Sequence, residues 1–243
     1  MSHIFARTEL LVGREGLEKL SACNVAVFGL GGVGSFAAEA LARAGVGSLF
    51  LVDHDTVDIS NINRQLHAMT STVGEPKTEL MKARLRDINP GVAVETRQQK
   101  FTPGLASEML DGRSIDFVVD AIDDVENKTF LIVACVKRKL PVISAMGAGN
   151  KLDPTSFKVD SIWRTSVCPL ARVMRKKLRA AGINEDVPVV YSTAPPIEPV
   201  AVKNGPGGRI PPGSISFVPP VAGLIMAGFV VTKLLGLNGF SAK

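Results

Sequence analysis

Short apolar runs bounded by turn residues alternate along this chain with longer segments in which apolar positions recur at helical spacing. Asn24 to Gly29 reads as a buried strand, Val33 to Ala44 as a helix rich in Ala and Leu and closed by Gly45, and Ser48 to Val52 as the next strand. Pro76 opens a helix that runs through Asn89, Pro90-Gly91 stops it, and Val92 to Thr96 returns to β structure. Asp116 to Asp120 and Pro141 to Ser144 are further apolar strands, separated by a helix over Asn127 to Lys139. Strands and helices alternating in this order predict an α/β fold, a doubly wound, Rossmann-like parallel sheet with crossover helices.

The rhythm changes after Gly147-Ala148-Gly149. A strand over Ser156 to Trp163, with Phe157 and Trp163 as core residues, is followed by a basic amphipathic helix over Pro169 to Ala181 and a strand over Val187 to Ser192. Thr193 to Gly213 is rich in Pro and Gly and predicts a long loop. Val221 to Leu235, after Pro219-Pro220, is almost wholly apolar. At about 1.5 Å per residue it is shorter than a hydrocarbon core of about 30 Å, and Lys233 sits near its end, so it is expected to be a core or subunit-interface helix with no membrane span. The expected organisation is a nucleotide-binding domain over residues 1–150 and a smaller α+β extension over 151–243 whose last helix packs on the first domain.

Composition narrows the class. A chain of 243 residues, 46% of them hydrophobic, can bury a substantial core. Cys23, Cys135 and Cys168 are too scattered for a disulfide framework or a zinc site. Cys23 and Cys135 fall in apolar patterns, and Cys168 is read as a packing residue at the entry to the basic helix. Met1 to Arg7 has no apolar signal-peptide core, so a reducing, cytoplasmic setting is expected. The formal charge of +5 is locally concentrated. Arg172, Arg175, Lys176, Lys177 and Arg179 crowd the basic helix, and Lys137-Arg138-Lys139 forms a second cluster. Either the basic helix meets nucleic-acid phosphates, or it is a solvated face whose amphipathic pattern Leu170, Val173, Met174, Leu178 and Ala181 already explain.

The candidate chemistry begins at Gly29-Leu30-Gly31-Gly32-Val33-Gly34-Ser35, where glycines let backbone N–H groups approach phosphate at a helix N-terminus. Asp53, Asp55, Asn61, Asn63, Arg64 and Gln65 follow the second strand, and Lys77 comes after them. Cations here suit a polyphosphate, for which a nicotinamide dehydrogenase has little use. Asp55 reads equally as support for a neighbouring group or as a loop acid. Asp120-Ala121-Ile122-Asp123 ends the fourth strand at the sheet's carboxyl edge, where such sheets bind ligands, with Asp120 expected to cap the following turn. His3, His54 and His67 do not cluster in the sequence, and His67 is expected only to support its loop.

This constellation resembles the adenylating domain shared by ubiquitin-activating, ThiF-like and molybdopterin-synthase-activating enzymes, over roughly residues 5 to 150. The resemblance implies transfer of AMP from ATP to a carboxylate. It implies that Gly29, Gly31, Gly32 and Gly34 line the phosphates, Asp53 holds the ribose, Asn61, Arg64 and Lys77 contact phosphate beside Gln65, and Asp123 holds Mg²⁺. Arg7 would complete the site of a partner subunit, or be an ordinary exposed arginine. Paired Cys-x-x-Cys motifs of the sulfur-carrier activators are missing, and the length leaves no room for the domains of ubiquitin-type activators. The segments Asn63-Arg64-Gln65-Leu66-His67-Ala68, Val119-Asp120-Ala121-Ile122-Asp123, Gly147-Ala148-Gly149 and Asp153-Pro154-Thr155 resemble those of the tRNA threonylcarbamoyladenosine dehydratase family. That resemblance implies ATP-dependent cyclisation of the modified adenosine beside the anticodon, with tRNA as partner, a homodimer, and a cysteine desulfurase or sulfur-acceptor protein as a further partner. Adenylation of a sulfur-carrier protein and a non-catalytic nucleotide-binding role are the alternatives.

Overall fold

The apolar runs assemble into one seven-stranded sheet. The computed structural model describes residues 3–198, 200 and 212–237. In chain order the elements are α1 (Ala6–Ser21), β1 (Asn24–Phe28), α2 (Gly34–Ala44), β2 (Ser48–Val52), α3 (Lys77–Ile88), β3 (Ala93–Arg97), α4 (Ala106–Leu110), β4 (Phe117–Asp120), α5 (Val125–Lys137), β5 (Val142–Ala145), β6 (Phe157–Ser161), α6 (Pro169–Ala180), β7 (Pro188–Ser192) and α7 (Val218–Leu235). The spatial order is β3-β2-β1-β4-β5-β7-β6. All neighbours run parallel except β6 and β7. Central strands are buried on both faces, as Val27 between Leu51 and Val119 illustrates, and therefore read as continuous apolar runs. The chain winds outward from β1 through β2 to β3, then returns to β4 on the other side of β1. That reversal opens a crevice at the carboxyl ends of β1 and β4.

The sheet predicted from the sequence is present, and the differences are local. The strand begun at Phe157 stops at Ser161, and Trp163 sits on the 3₁₀ turn Ile162–Arg164 instead of in the strand core. It is half-buried there, its Nε1 donating to the Glu185 carbonyl at 2.8 Å and its ring 5.2 Å from the Arg179 guanidinium carbon. On α6 the buried face is Ala171, Met174 and Leu178, while Val173 and Ala181 of the expected apolar pattern are exposed. The helices α1 and α4 have no counterpart in the sequence reading. In α1 the backbone breaks at Gly13, with φ 72° and ψ 173°. Most of the Pro/Gly-rich passage lies outside the described residues.

The apolar C-terminal helix starts at Val218, so Pro219 and Pro220 occupy its first turn, where a missing N–H costs nothing. It lies across α2 so closely that a Cβ on Gly223 would stand 2.2 Å from the Val33 carbonyl oxygen. Half of its residues are buried, which makes it a packing helix of the core.

Behind the crevice a buried ion pair ties three elements together. Lys128 Nζ on α5 lies 2.8 Å from Asp120 Oδ2 at the end of β4, and both side chains are fully buried. Ser144 of β5 donates its Oγ–H to the same carboxylate oxygen at 2.6 Å. Asp120 Oδ1 also accepts from the Ile122 N–H at 3.1 Å. The turn-capping expectation for Asp120 is therefore correct but incomplete.

Candidate functional site

A cavity of 860 Å³ occupies the crevice, walled by the chain that follows β1, β2, β3 and β4. Gly29 leaves β1 with φ 89°, a conformation that residues with a Cβ rarely adopt. Gly34 opens α2 so close behind it that a Cβ would lie 1.8 Å from the Gly29 carbonyl oxygen. The chain between them can thus fold tightly and present Gly31 and Gly32 to the cavity, whereas Gly34 is buried behind the loop and is not among the lining residues. At Gly31 the space is open, the nearest atom to an added Cβ being Gln65 Nε2 at 3.9 Å.

Asp53 at the end of β2 stitches this loop in place. Its Oδ2 accepts from the Leu30 N–H at 2.6 Å and its Oδ1 from the Asp55 N–H at 2.8 Å. Asp55 in turn holds Lys77 Nζ at 2.8 Å and lies 3.2 Å from His54 Nε2. Lys77 is the first residue of α3, buried except at the cavity wall. Of the two readings left open for Asp55, the geometry favours support of Lys77.

The polar loop between β2 and α3 is ordered by its own side chains. Asp58 caps a short 3₁₀ turn, accepting from the Ser60 N–H at 2.8 Å while Asn61 Oδ1 accepts from the Asp58 N–H at 3.2 Å. Those bonds to Ser60 hold the Asp58 carboxyl below the usual carboxylate range. Arg64 donates through Nη1 to the Ser60 carbonyl at 2.8 Å and to Asn63 Oδ1 at 2.9 Å. Gln65 Oε1 is buried with no hydrogen-bond partner among the described residues.

Asp123 is exposed on the cavity wall, and its carboxylate has no hydrogen bond or ion pair among the described residues. A free carboxylate facing a polar cavity suits a hard divalent cation. Asp53, His54 and Asp55 also bring ligand atoms within 4.8 Å of one another, but the backbone N–H groups and Lys77 already engage both acids.

The structure therefore gathers Gly29, Gly31, Gly32, Asp53, Asp55, Asn61, Arg64, Gln65, Lys77 and Asp123 around one space. Arg7 is elsewhere, exposed on α1 and not among the lining residues. Sequence reasoning missed Lys100, which lines the cavity after β3 and lies 3.6 Å from Asp124 Oδ2. The available signal was its position just past the third strand, at the carboxyl edge where such sheets bind ligands. Pro212, Ser214 and Pro219 close the cavity from the C-terminal region, and nothing local in the sequence indicates that they do so.

Cations on α6 form a separate group. Arg175 Nη1 donates to the Thr165 carbonyl at 3.0 Å, Lys177 pairs with Glu126 at 2.5 Å, and Arg179 lies over Trp163. Arg172 and Lys176 have no partner among the described residues and face solvent. Cys168 is buried at the start of the helix, Cys23 is buried with its thiol pKa raised by burial, and burial pushes the Cys135 thiol up to about 12.

A glycine loop opening a helix at the switch point of a doubly wound sheet, faced by Arg64 and Lys77, defines a nucleotide-binding α/β protein. The chain belongs to the ThiF family, whose family model matches residues 5–243. It is 50% identical to the tRNA threonylcarbamoyladenosine dehydratase of Bacillus subtilis (strain 168), over 97% of this chain and 96% of that protein. The crystal structure of Escherichia coli tRNA N6-threonylcarbamoyladenosine dehydratase in complex with ATP superposes with a TM-score of 0.88 at 33% identity, covering 96% of this chain and 93% of that chain. Similarity extends to the sulfur carrier protein ThiS adenylyltransferase of Escherichia coli (strain K12), 31% identical over 82% of this chain and 80% of that protein.

Proposed function

We propose that this protein is an ATP-dependent tRNA threonylcarbamoyladenosine dehydratase. The threonyl carboxylate attacks the α-phosphorus of ATP, pyrophosphate leaves, and the carbamoyl oxygen then closes on the acyl adenylate to give a cyclic oxazolone. AMP departs carrying the former carboxylate oxygen, so one water is formally lost. The observation that carries this reading is the meeting of the glycine loop with Arg64 and Lys77 in one cavity.

The chemistry asks for cations more than for a general base, because the nucleophile is already an anion and negative charge accumulates on the phosphates. In this reading Gly31 and Gly32 let backbone N–H groups approach the phosphates, and Asp53 holds the ribose. Lys77 meets phosphate from the base of α3, with Asp55 fixing its direction. Arg64 exchanges its bonds to Ser60 and Asn63 for phosphate oxygens, while Asn61 and Gln65 hold the loop and contact the nucleotide. Lys100 adds a further cation to the lining. Asp123 would hold Mg²⁺, which would supply neutralising positive charge at the phosphates when bound. Ring closure needs no thioester cysteine, since the second nucleophile is already in the substrate and effective molarity replaces it.

The remaining assignments follow from the same reading. The protein acts in the cytoplasm as a homodimer in which Arg7 of one protomer completes the cavity of the other. Residues 1–150 carry the adenylation chemistry. Residues 151–243 supply the RNA contacts, with Arg172, Arg175, Lys176, Lys177 and Arg179 placed along tRNA phosphates.

The test is mass spectrometry of nucleosides from threonylcarbamoyladenosine-containing tRNA after incubation with the protein, ATP and Mg²⁺. The expected product is a nucleoside lighter by one water, formed together with AMP and lost in Asp123→Ala. Unaltered tRNA, with AMP instead joined to the C-terminus of a sulfur-carrier protein, would replace this reading with adenylyl transfer to a protein.

A further inference from the structure

A second hollow, of 460 Å³, lies at the N-terminal end of α6, lined by Val167, Cys168, Pro169, Arg172, Val173 and Arg175. The loop after β5 joins it to the larger cavity. Ala148 and Gly149 line that cavity, while a Cβ placed on Gly147 would stand 3.7 Å from both Cys168 Sγ and Leu170 Cβ. The two spaces are therefore neighbours along the carboxyl edge of the sheet.

The hollow pairs exposed apolar surface with an uncommitted cation. Val167, in the turn before α6, is 54% exposed, and Val173 is 43% exposed on α6 itself, whose core face is already complete in Ala171, Met174 and Leu178. Val167 is held in the left-handed region, with φ 62°, by a bond from the Cys168 N–H to the Ser166 carbonyl at 2.6 Å. Arg172 has no partner among the described residues, and Arg175 is fixed to Thr165 behind it. Among the described residues no acidic side chain lines the hollow, and Lys176 extends the positive charge along the helix.

We propose that this hollow receives one nucleotide of the tRNA loop next to the adenosine being modified, its base against Val167 and Val173 and its phosphate against Arg172. The inference rests on the tRNA reading above. Drawing the modified adenosine of a single-stranded loop into the cavity takes it off its neighbour, which loses that stacking contact as well. A proteinaceous shelf beside the cavity restores that contact, and the charge of Arg172 and Lys176 complements a phosphate backbone.

Binding of labelled threonylcarbamoyladenosine-containing tRNA to the full-length protein, followed by fluorescence anisotropy over a salt series, tests it. Asn adopts a positive φ more readily than a β-branched residue, so Val167→Asn removes apolar surface while adding no strain beyond that of Val. Losing the buried aliphatic surface is expected to weaken affinity about tenfold with the salt slope unchanged. Arg172→Ala is expected to weaken affinity and to lower the slope of log affinity against log salt by about 0.7. The rise in melting temperature on adding ATP stays as in the wild type for both. Variants that bind tRNA like the wild type would overturn the inference and leave the tRNA reading intact. A loss confined to Arg172→Ala would overturn the base contact, and wild-type protein that does not bind this tRNA would overturn both.

Discussion

His67 is buried, and neither ring nitrogen has a hydrogen-bond partner among the described residues. Burial first, and then the charges of Lys77 and Arg84, push its pKa down to about 4. An unfolded histidine titrates near 6.5, so between those values the unfolded chain binds a proton that the folded chain refuses. Stability is fully present above pH 6.5 and falls as the pH drops toward 4, by about 3 kcal/mol from this group. Urea unfolding at successive pH values checks this, and the fall across that window should flatten in His67→Gln. An unchanged pH slope in the variant would assign the effect to another group. In the sequence His67 is a lone histidine in a polar loop, because the side chains that exclude water from it come from distant elements. The neighbouring Asp53, Arg64 and Lys77 were legible as a group, since their residue types and their places after a strand and at a helix start carry chemical meaning locally.

Asp120 and Asp123 are three positions apart and have opposite surroundings. Asp120 is locked between β4, α5 and β5 by Lys128 and Ser144, while Asp123 stands on the cavity wall without a partner among the described residues. Removing one member of a buried pair leaves the other charge uncompensated, so Lys128→Ala is expected to cost about 3–5 kcal/mol of unfolding free energy. Asp123→Ala should leave stability within about 0.5 kcal/mol of wild type and act on ATP turnover instead. Urea midpoints of the two variants, measured side by side, separate these outcomes. Helical periodicity places a lysine on α5 but does not say that its ammonium meets a carboxylate inside the molecule. The prolines before the apolar C-terminal helix were likewise visible, yet whether they precede or open the helix depends on where α2 lets it pack.

At the scale of the whole molecule, Arg7 lies away from the cavity of its own chain. If it serves the cavity of a partner protomer, Arg7→Ala and Asp123→Ala, each inactive alone, should complement when mixed. Half of the randomly exchanged dimers are mixed, and each mixed dimer holds one site with both residues intact, so about a quarter of wild-type turnover is expected. Turnover that stays at the level of the separate variants would place Arg7 outside the reaction. The same scale explains how β7 and β6, which the sequence assigned to an extension, come to lengthen the one sheet beyond β5.

Sequence alone determined the alternation of strands and helices, the glycine loop that opens α2, and the cations and acids that follow the second and fourth strands. These are properties of periodicity and spacing, which neighbouring residues carry together. Tertiary structure alone decided that Lys100, Ser214 and Pro219 reach the cavity, that Lys128 neutralises Asp120, and that the start of α6 adjoins the cavity through Gly147. Those contacts join positions far apart in the chain, and they exist only once the sheet order and the burial of each face have been set by packing.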